Sequence, residues 1–316
     1  MLDGWDRRKK LGLAVLLALA AGALALLFVT LPGRSGGDEG ALVGEARRGG
    51  LTVAVREAVG DVHVTEAKAP GRPIVLIDPG HGGTDPGAPG VSGQIVEKQL
   101  TLAFARELRD LLAERGRVRV AMTREDDRTL SLEQRAAIAR KLGAGLLVSV
   151  HMDSAPNALA RGATVYSLSD VASDAEAARF AQAENAESGA LTSEHDDSVR
   201  LLLSDLALRD QMEDSAALAT RMVRSAGPGM LLRPEPHKFA AFHILRRSEV
   251  PGVLFEAGYI SNPDDEAILI TPQGRRPIVE ALAKAIETEL SLKLARSRFS
   301  PLTQAARACR QWMPPP

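Results

Sequence analysis

Cysteine is almost missing from this chain. Its 316 residues contain one, Cys309, near the C-terminus. That excludes an internal disulfide framework and a zinc site built from several thiolates, and a tail position does not suit a cysteine nucleophile. Aromatic residues are also scarce, at 3 %, and the net charge is −1. Nucleic-acid binders need a basic face or stacking aromatics, so no DNA or RNA partner is expected. What remains is 45 % hydrophobic and 25 % charged, which can bury the core of one full domain plus an appendage and is unlike a disordered chain. Any metal would rest on histidine and carboxylate.

Long apolar runs are equally rare, with one exception. After Arg7, Arg8, Lys9 and Lys10, no charge occurs from Leu11 to Leu31. As a helix this run would be about 31 Å long, enough to cross a hydrocarbon core. Residues 1–32 therefore read as a membrane anchor, with the basic leading side in the cytoplasm and everything after Pro32 outside, or as a signal sequence removed on export. The Arg7-Arg8 pair fits a twin-arginine export signal, and basic leader regions also hold adjacent arginines by chance. Residues 33–71 are rich in glycine and charge and read as a linker, with a short strand expected in the alternating piece from Leu51 to Val59.

From Arg72 the pattern changes. Short, mostly β-branched runs at Pro73–Ile77, Val118–Met122, Leu146–Val150, Ala163–Leu168 and Val250–Phe255 alternate with helical stretches. One helix is expected from about Lys98 to Arg115, with Leu100, Phe104, Leu108, Leu111 and Leu112 on one face. Another follows the capping box of Ser131 and Gln134, and the last begins near Pro277. Alternating strands and helices predict an α/β layered domain with a largely parallel sheet, whose chemistry gathers at the carboxyl ends of the strands.

Three ionisable residues fall at such ends. His81 follows the first strand within "DPGHGGTDPG", His151 follows "LLVSV", and Glu256 follows "GVLF". Glu97 opens the helix after the glycine-rich loop. Two imidazoles and one carboxylate make a common catalytic zinc set, and a further carboxylate can act as general base. Taken singly, a histidine at a strand end is more often an ordinary hydrogen-bonded residue, and no HExxH joins these two. Glu256 is harder to treat that way, because a carboxylate between Phe255 and Ala257 after a buried strand is costly unless paired or ligating. The glycine-rich loop lacks the Gly-Lys-Ser/Thr of a P-loop and the spacing of a dinucleotide fingerprint.

The strings "IVLIDPGHGGTDPGA", "EKQLTLAFARELRDLL", "MTREDDRTLSLEQRAAIAR", "LLVSVHMDSAPN", "GATVYSLS" and "VPGVLFEAGYISNPDDEAIL", in this order, closely resemble the zinc-dependent N-acetylmuramoyl-L-alanine amidases of bacterial cell division. The resemblance covers about Arg72 to Leu292. It implies a mixed sheet of about six strands flanked by helices, one zinc ion per chain on His81, Glu97 and His151, and Glu256 as general base. The implied activity is cleavage of peptidoglycan between the lactyl group of N-acetylmuramic acid and L-alanine, on the periplasmic side of a bacterial envelope. Asp78 and Asp153 are expected to orient the histidines. His237 is a candidate for substrate contact, while His63, His195 and His243 read as incidental. The catalytic domain is placed at 72–295 and a C-terminal tail at 296–316.

A long helical insertion spans 169–236, with helices expected from Ser173 to about Ser188 and from about Ser198 to Ala226. A charge run of this kind is usually a solvated face. In division amidases, however, an inserted helix blocks the zinc site until a periplasmic activator removes it, and here Glu184 and Glu187 are the candidates to do so. Leu208, Met212, Ala216, Ala219 and Val223 would stripe the second helix for packing or for an activator's groove. The stretch before Arg72 is too short for the glycan- or septum-targeting domain usual in the family. Two other function classes fit parts of the pattern: a zinc carboxypeptidase on wall peptides, and a non-catalytic wall-binding protein, which would be expected to lack Glu256.

Overall fold

The computed structural model describes residues 61–186, 198–227 and 230–299. The expected anchor or signal sequence and the Leu51–Val59 strand lie outside them, as do Glu187, His195 and the tail from residue 300. No helix among the described residues is long and apolar enough to cross a membrane.

Seven strands form one mixed sheet in the order β1-β3-β2-β4-β7-β5-β6. They are β1 (Val64–Thr65), β2 (Ile74–Pro79), β3 (Arg119–Met122), β4 (Leu146–Asp153), β5 (Ala163–Leu168), β6 (Leu232–Ala240) and β7 (Gly252–Tyr259). β3, β2, β4 and β7 are mutually parallel. β5 and β6 run parallel to each other but antiparallel to β7. The mixed sheet agrees with the expected fold; β1 and β6 are the strands that the apolar runs do not mark, and β6 starts inside the stretch 169–236 read as helical and carries Pro234 and Pro236. Proline cannot donate to a ladder, which disguises a strand in the sequence and confines it to an edge, where β6 lies.

The helices are α1 (Glu97–Arg115), α2 (Leu132–Leu142), α3 (Ala175–Asn185), α4 (Ser198–Ser225), α5 (His243–Ser248), α6 (Pro263–Leu269) and α7 (Pro272–Phe299). On one sheet face, Leu100, Phe104, Leu108 and Leu112 of α1 share a core with Val75, Val148 and Phe255 and with Ile278, Leu282 and Ile286 of α7. The spacing of four places the α1 residues on one helical stripe. The other face packs Leu76, Leu147, Tyr166 and Leu254 against α2, α3 and α5. α2 starts at the expected box, with Ser131 Oγ accepting from Gln134 N at 3.2 Å and Ser131 N donating to Gln134 Oε1 at 2.8 Å.

The expected stripe of α4 is rotated. Its buried face carries Gln211, Ser215, Leu218, Ala219 and Met222, while Leu208, Met212 and Val223 flank it, packing at the margins of the two cores. Two of the buried residues are polar because each closes a backbone account: Gln211 Nε2 donates to Leu245 O at 2.7 Å and to Val250 O at 2.9 Å, and Ser215 Oγ accepts from Leu168 N at 3.1 Å. That face is spent on the domain's own sheet and is not open to a partner.

Candidate metal centre

β2, β4 and β7 lie side by side and parallel, so their carboxyl ends meet at one edge of the domain. β2 ends at Pro79, and the loop that follows turns back sharply. His81 there has φ +58°, left-handed backbone that a non-glycine residue adopts only when its surroundings hold it. Two buried arginines do so. Arg135 donates to His81 O at 2.6 Å and Pro79 O at 2.7 Å, and Arg124 donates to Gly80 O at 2.8 Å. Two glycines make room for the side chains: a Cβ on Gly80 would fall 2.3 Å from the His151 ring, and one on Gly87 would fall 2.7 Å from the His81 ring.

His81 Nε2 points at Glu97, with Oε2 3.1 Å away. Glu97 is fixed as α1 begins, its Oε1 accepting from Met152 N and its Oε2 from Ala88 N, both at 3.0 Å. His151 Nδ1 is 3.2 Å from Glu97 Oε1. One donor atom from each of His81, Glu97 and His151 lies within 4.8 Å of the others. The fit to a metal rests on two features. Nitrogen, nitrogen and carboxylate oxygen are a catalytic zinc donor set, and His81 Nε2 is buried with no well-formed hydrogen bond, facing the other two. The electrostatics also call for a cation. Burial by itself would lower the His81 pKa, but the close contact and charge of Glu97, helped by Glu184 and Asp85, carry it up to about 10. Burial likewise opposes the charge on Glu97, and the two histidines overcome it, holding the carboxyl well below its ordinary range.

Glu256 is paired in register with His151 on one side and with Thr164 on the other. It is 0 % exposed, and neither oxygen has a well-formed hydrogen bond among the described residues. Burial and then the charges of Asp153, Glu97 and Glu184 push its pKa well above the carboxylate range, and a weak pull from the Asp153 backbone does not offset them. A buried carboxyl without partners is a cost to the fold, and such groups cluster where chemistry is done.

The remaining expected residues are placed differently. Asp78 touches no histidine: Arg135 donates to its Oδ1 at 2.7 Å, Thr123 to the same oxygen at 2.6 Å, and Ser149 to Oδ2 at 2.8 Å. Burial raises its pKa, but Arg135 and these hydrogen bonds outweigh that and keep it low. Its buried carboxylate anchors the arginine that grips the loop. Asp153 does not reach His151 either. It accepts from Ser154 N at 2.6 Å, and burial lifts its pKa to about 6. His237 is on β6, with Nε2 2.9 Å from Ser167 Oγ, and does not line the central cavity.

The residue that does orient a histidine is Asp85, whose Oδ2 is 2.6 Å from His81 Nδ1 while its Oδ1 accepts from Gly87 N at 3.0 Å. The signal available in the sequence was a His and an Asp four apart across a glycine turn. The cavity at the trio holds about 300 Å³ and is lined by His81, Glu97, His151, Asp153, Phe180 and Glu184 among others. Glu184 enters from α3, placing Oε2 3.5 Å from His151 Nδ1.

Residues 75–288 match the family model described as N-acetylmuramoyl-L-alanine amidase. Over 223 residues the chain is 35 % identical to the N-acetylmuramoyl-L-alanine amidase AmiA of Escherichia coli, covering 69 % of this chain and 76 % of the relative. Among solved structures it resembles the catalytic domain of CwlV, an N-acetylmuramoyl-L-alanine amidase from Bacillus (Paenibacillus) polymyxa, at TM-score 0.53 and 27 % identity over 69 % of this chain and 98 % of the other. The amidase AmiC2 of Nostoc punctiforme matches at TM-score 0.53 and 25 % identity, over 70 % and 98 %. Fold, ordered motifs and family model agree, and the chain belongs to the N-acetylmuramoyl-L-alanine amidases, the hydrolases that act on peptidoglycan.

Proposed function

We propose that the chain hydrolyses the amide between the lactyl group of N-acetylmuramic acid and the L-alanine of the wall peptide, with one zinc ion held by His81, Glu97 and His151. The observation that carries this reading is Glu256, a fully buried carboxyl whose oxygens have no well-formed hydrogen bond among the described residues, in register with His151. The chemistry such an ion supplies is polarisation of the amide carbonyl and a water acidic enough to ionise near pH 7, by about the range seen in zinc hydrolases.

Glu256 accepts the proton of the attacking water on one carboxyl oxygen and returns it to the nitrogen of the departing L-alanine. Asp85 keeps the His81 ring turned toward Glu97, and Arg135 and Arg124 keep the loop from relaxing out of its left-handed turn.

Glu184 is the natural internal competitor. It sits on a helix of the 169–236 insertion at the same cavity, where its tether gives it a high effective concentration. We read α3 as a block that a periplasmic activator relieves, and the enzyme as one of envelope wall splitting at septa, delivered by residues 1–32 as anchor or cleaved signal. Incubating the purified protein with peptidoglycan and identifying products by mass tests the core of this reading. Release of peptides beginning with L-alanine supports it; loss of a terminal D-alanine alone would make the chain a carboxypeptidase, and no product with or without α3 in place would leave a wall-binding protein.

A further inference from the structure

α3 presents an acid, an aromatic and a second acid at intervals of four residues: Glu176, Phe180 and Glu184. Such spacing puts all three on one side of a helix. Glu184 reaches His151, and Phe180 stacks on Tyr166 with centroids 5.0 Å apart. At the far end, Glu176 pairs with two cations of β6, Arg233 at 2.8 Å and Lys238 at 2.6 Å, and the α3 cap residue Asp174 adds a contact to Lys238 at 3.3 Å. Lys238 is only 5 % exposed, and among the described residues its ion-pair partners are Glu176 of α3 and the cap Asp174. If α3 leaves the site, as the amidase reading requires, a buried ammonium loses its counter-charges, which is unfavourable unless another anion arrives.

The floor between the two ends is polar and unsatisfied. Thr164 Oγ1, the Tyr166 hydroxyl and both Glu256 oxygens are at residues 0 % exposed and have no well-formed hydrogen bond among the described residues. Buried polar atoms are ordinarily paired, and the alanines and phenylalanine of α3 have nothing to offer them, whereas a peptide backbone does. The strip continues to the cations through Tyr259, which flanks Asp153 in the sheet and accepts a hydrogen bond from Arg233.

We propose that Arg233 and Lys238 form a subsite for a carboxylate of the wall peptide, and that Glu176 occupies that carboxylate's place while α3 is closed. Glu176 and Glu184 are eight residues apart, or about 12 Å along a helix at roughly 1.5 Å per residue. An extended peptide covers roughly 3.3–3.6 Å per residue, so the anion recognised lies about three residues beyond the amide that is cleaved. α3 is then an imitation of the substrate as well as a cover, and the pair Arg233 and Lys238 selects for peptides with a negative charge at that distance.

The test uses the full chain carrying Glu176→Gln and Glu184→Gln, which removes both imitating acids. Its binding is measured calorimetrically to a tripeptide that begins with L-alanine and ends in a free carboxylate, and to the same peptide as its carboxamide. The carboxylate form should bind about tenfold tighter or more, as expected for a charge-assisted site. Adding Arg233→Gln or Lys238→Gln should erase that difference while leaving carboxamide binding unchanged, and Arg233→Lys should keep part of it. Circular dichroism checks each fold, and Arg233→Gln alone decides if Lys238→Gln does not fold. Equal binding of the two peptides, a preference that survives both glutamine variants, or no binding of either peptide overturns the subsite. Cleavage of muramoyl peptide is measured separately: a carboxylate preference without cleavage would sink the amidase reading and leave the subsite standing.

Discussion

Removing Asp85 is the sharpest test of how the centre is held. Its carboxylate makes a 2.6 Å contact with His81 Nδ1 and a 3.0 Å bond from Gly87 N, so it fixes both the ring and the loop that carries it. Hydrogen bonds to charged groups contribute about 1.5–3 kcal/mol, and carboxylates behind metal-bound histidines affect affinity by about 10–100-fold when removed. The two ranges agree. Asp85→Ala should therefore weaken zinc binding by about one to two orders of magnitude and leave the sheet intact, since Asp85 lies outside both hydrophobic cores. Competition against a chromophoric chelator reads the affinity, and circular dichroism reads the fold. A folded Asp85→Ala protein that binds zinc within twofold of wild type would refute the argument that this contact orients His81.

Glu256→Gln should keep the metal and lose about 10²–10⁴ in turnover, the range of a general base; near-normal turnover in a peptidoglycan assay would remove Glu256 from the mechanism. Glu184→Ala should raise basal hydrolysis of peptidoglycan by the full chain, measured at equal zinc content, and an unchanged rate would mean that α3 is only a cover. The proton on His81 competes with the metal, so zinc affinity should climb by about tenfold per pH unit between pH 6 and 8, below the raised His81 pKa of about 10; a flat profile would contradict that raised value. By the same linkage, the metal-free protein gains stability from this proton. The gain is complete below the ordinary histidine pKa of 6.5 and fades as pH rises toward about 10, which thermal melts in the presence of chelator can follow.

The sequence by itself determined the layered α/β architecture, because strand and helix periodicities are local. It also marked His81, His151 and Glu256 as ionisable residues closing apolar runs, but only His81 lies beyond its strand: β4 continues through His151 to Asp153 and β7 through Glu256 to Tyr259, because the neighbouring strands go on pairing where the apolar run stops. Glu97 was legible as the first residue of a helix. Other features depend on contacts between distant segments. β6 was hidden because two prolines mask an edge strand whose pairing comes from β5. The α4 stripe lies a fraction of a turn from where periodicity puts it, since Gln211 and Ser215 are buried by the backbone groups they satisfy.

The partners of the histidines show the same division. Asp78 and Asp153 stand next to the site in sequence, and strand alternation alone does not say that Asp78 meets Arg135, 57 residues away, instead of an imidazole. Arg135 looks like any helical arginine until the turn brings Pro79 O and His81 O to its guanidinium. A local pattern reports which residues can be buried, because burial follows the hydrophobic period of one segment. Which buried charges neutralise each other is decided only in the tertiary structure, because an ion pair depends on a separation of a few ångströms between segments whose order along the chain does not encode it.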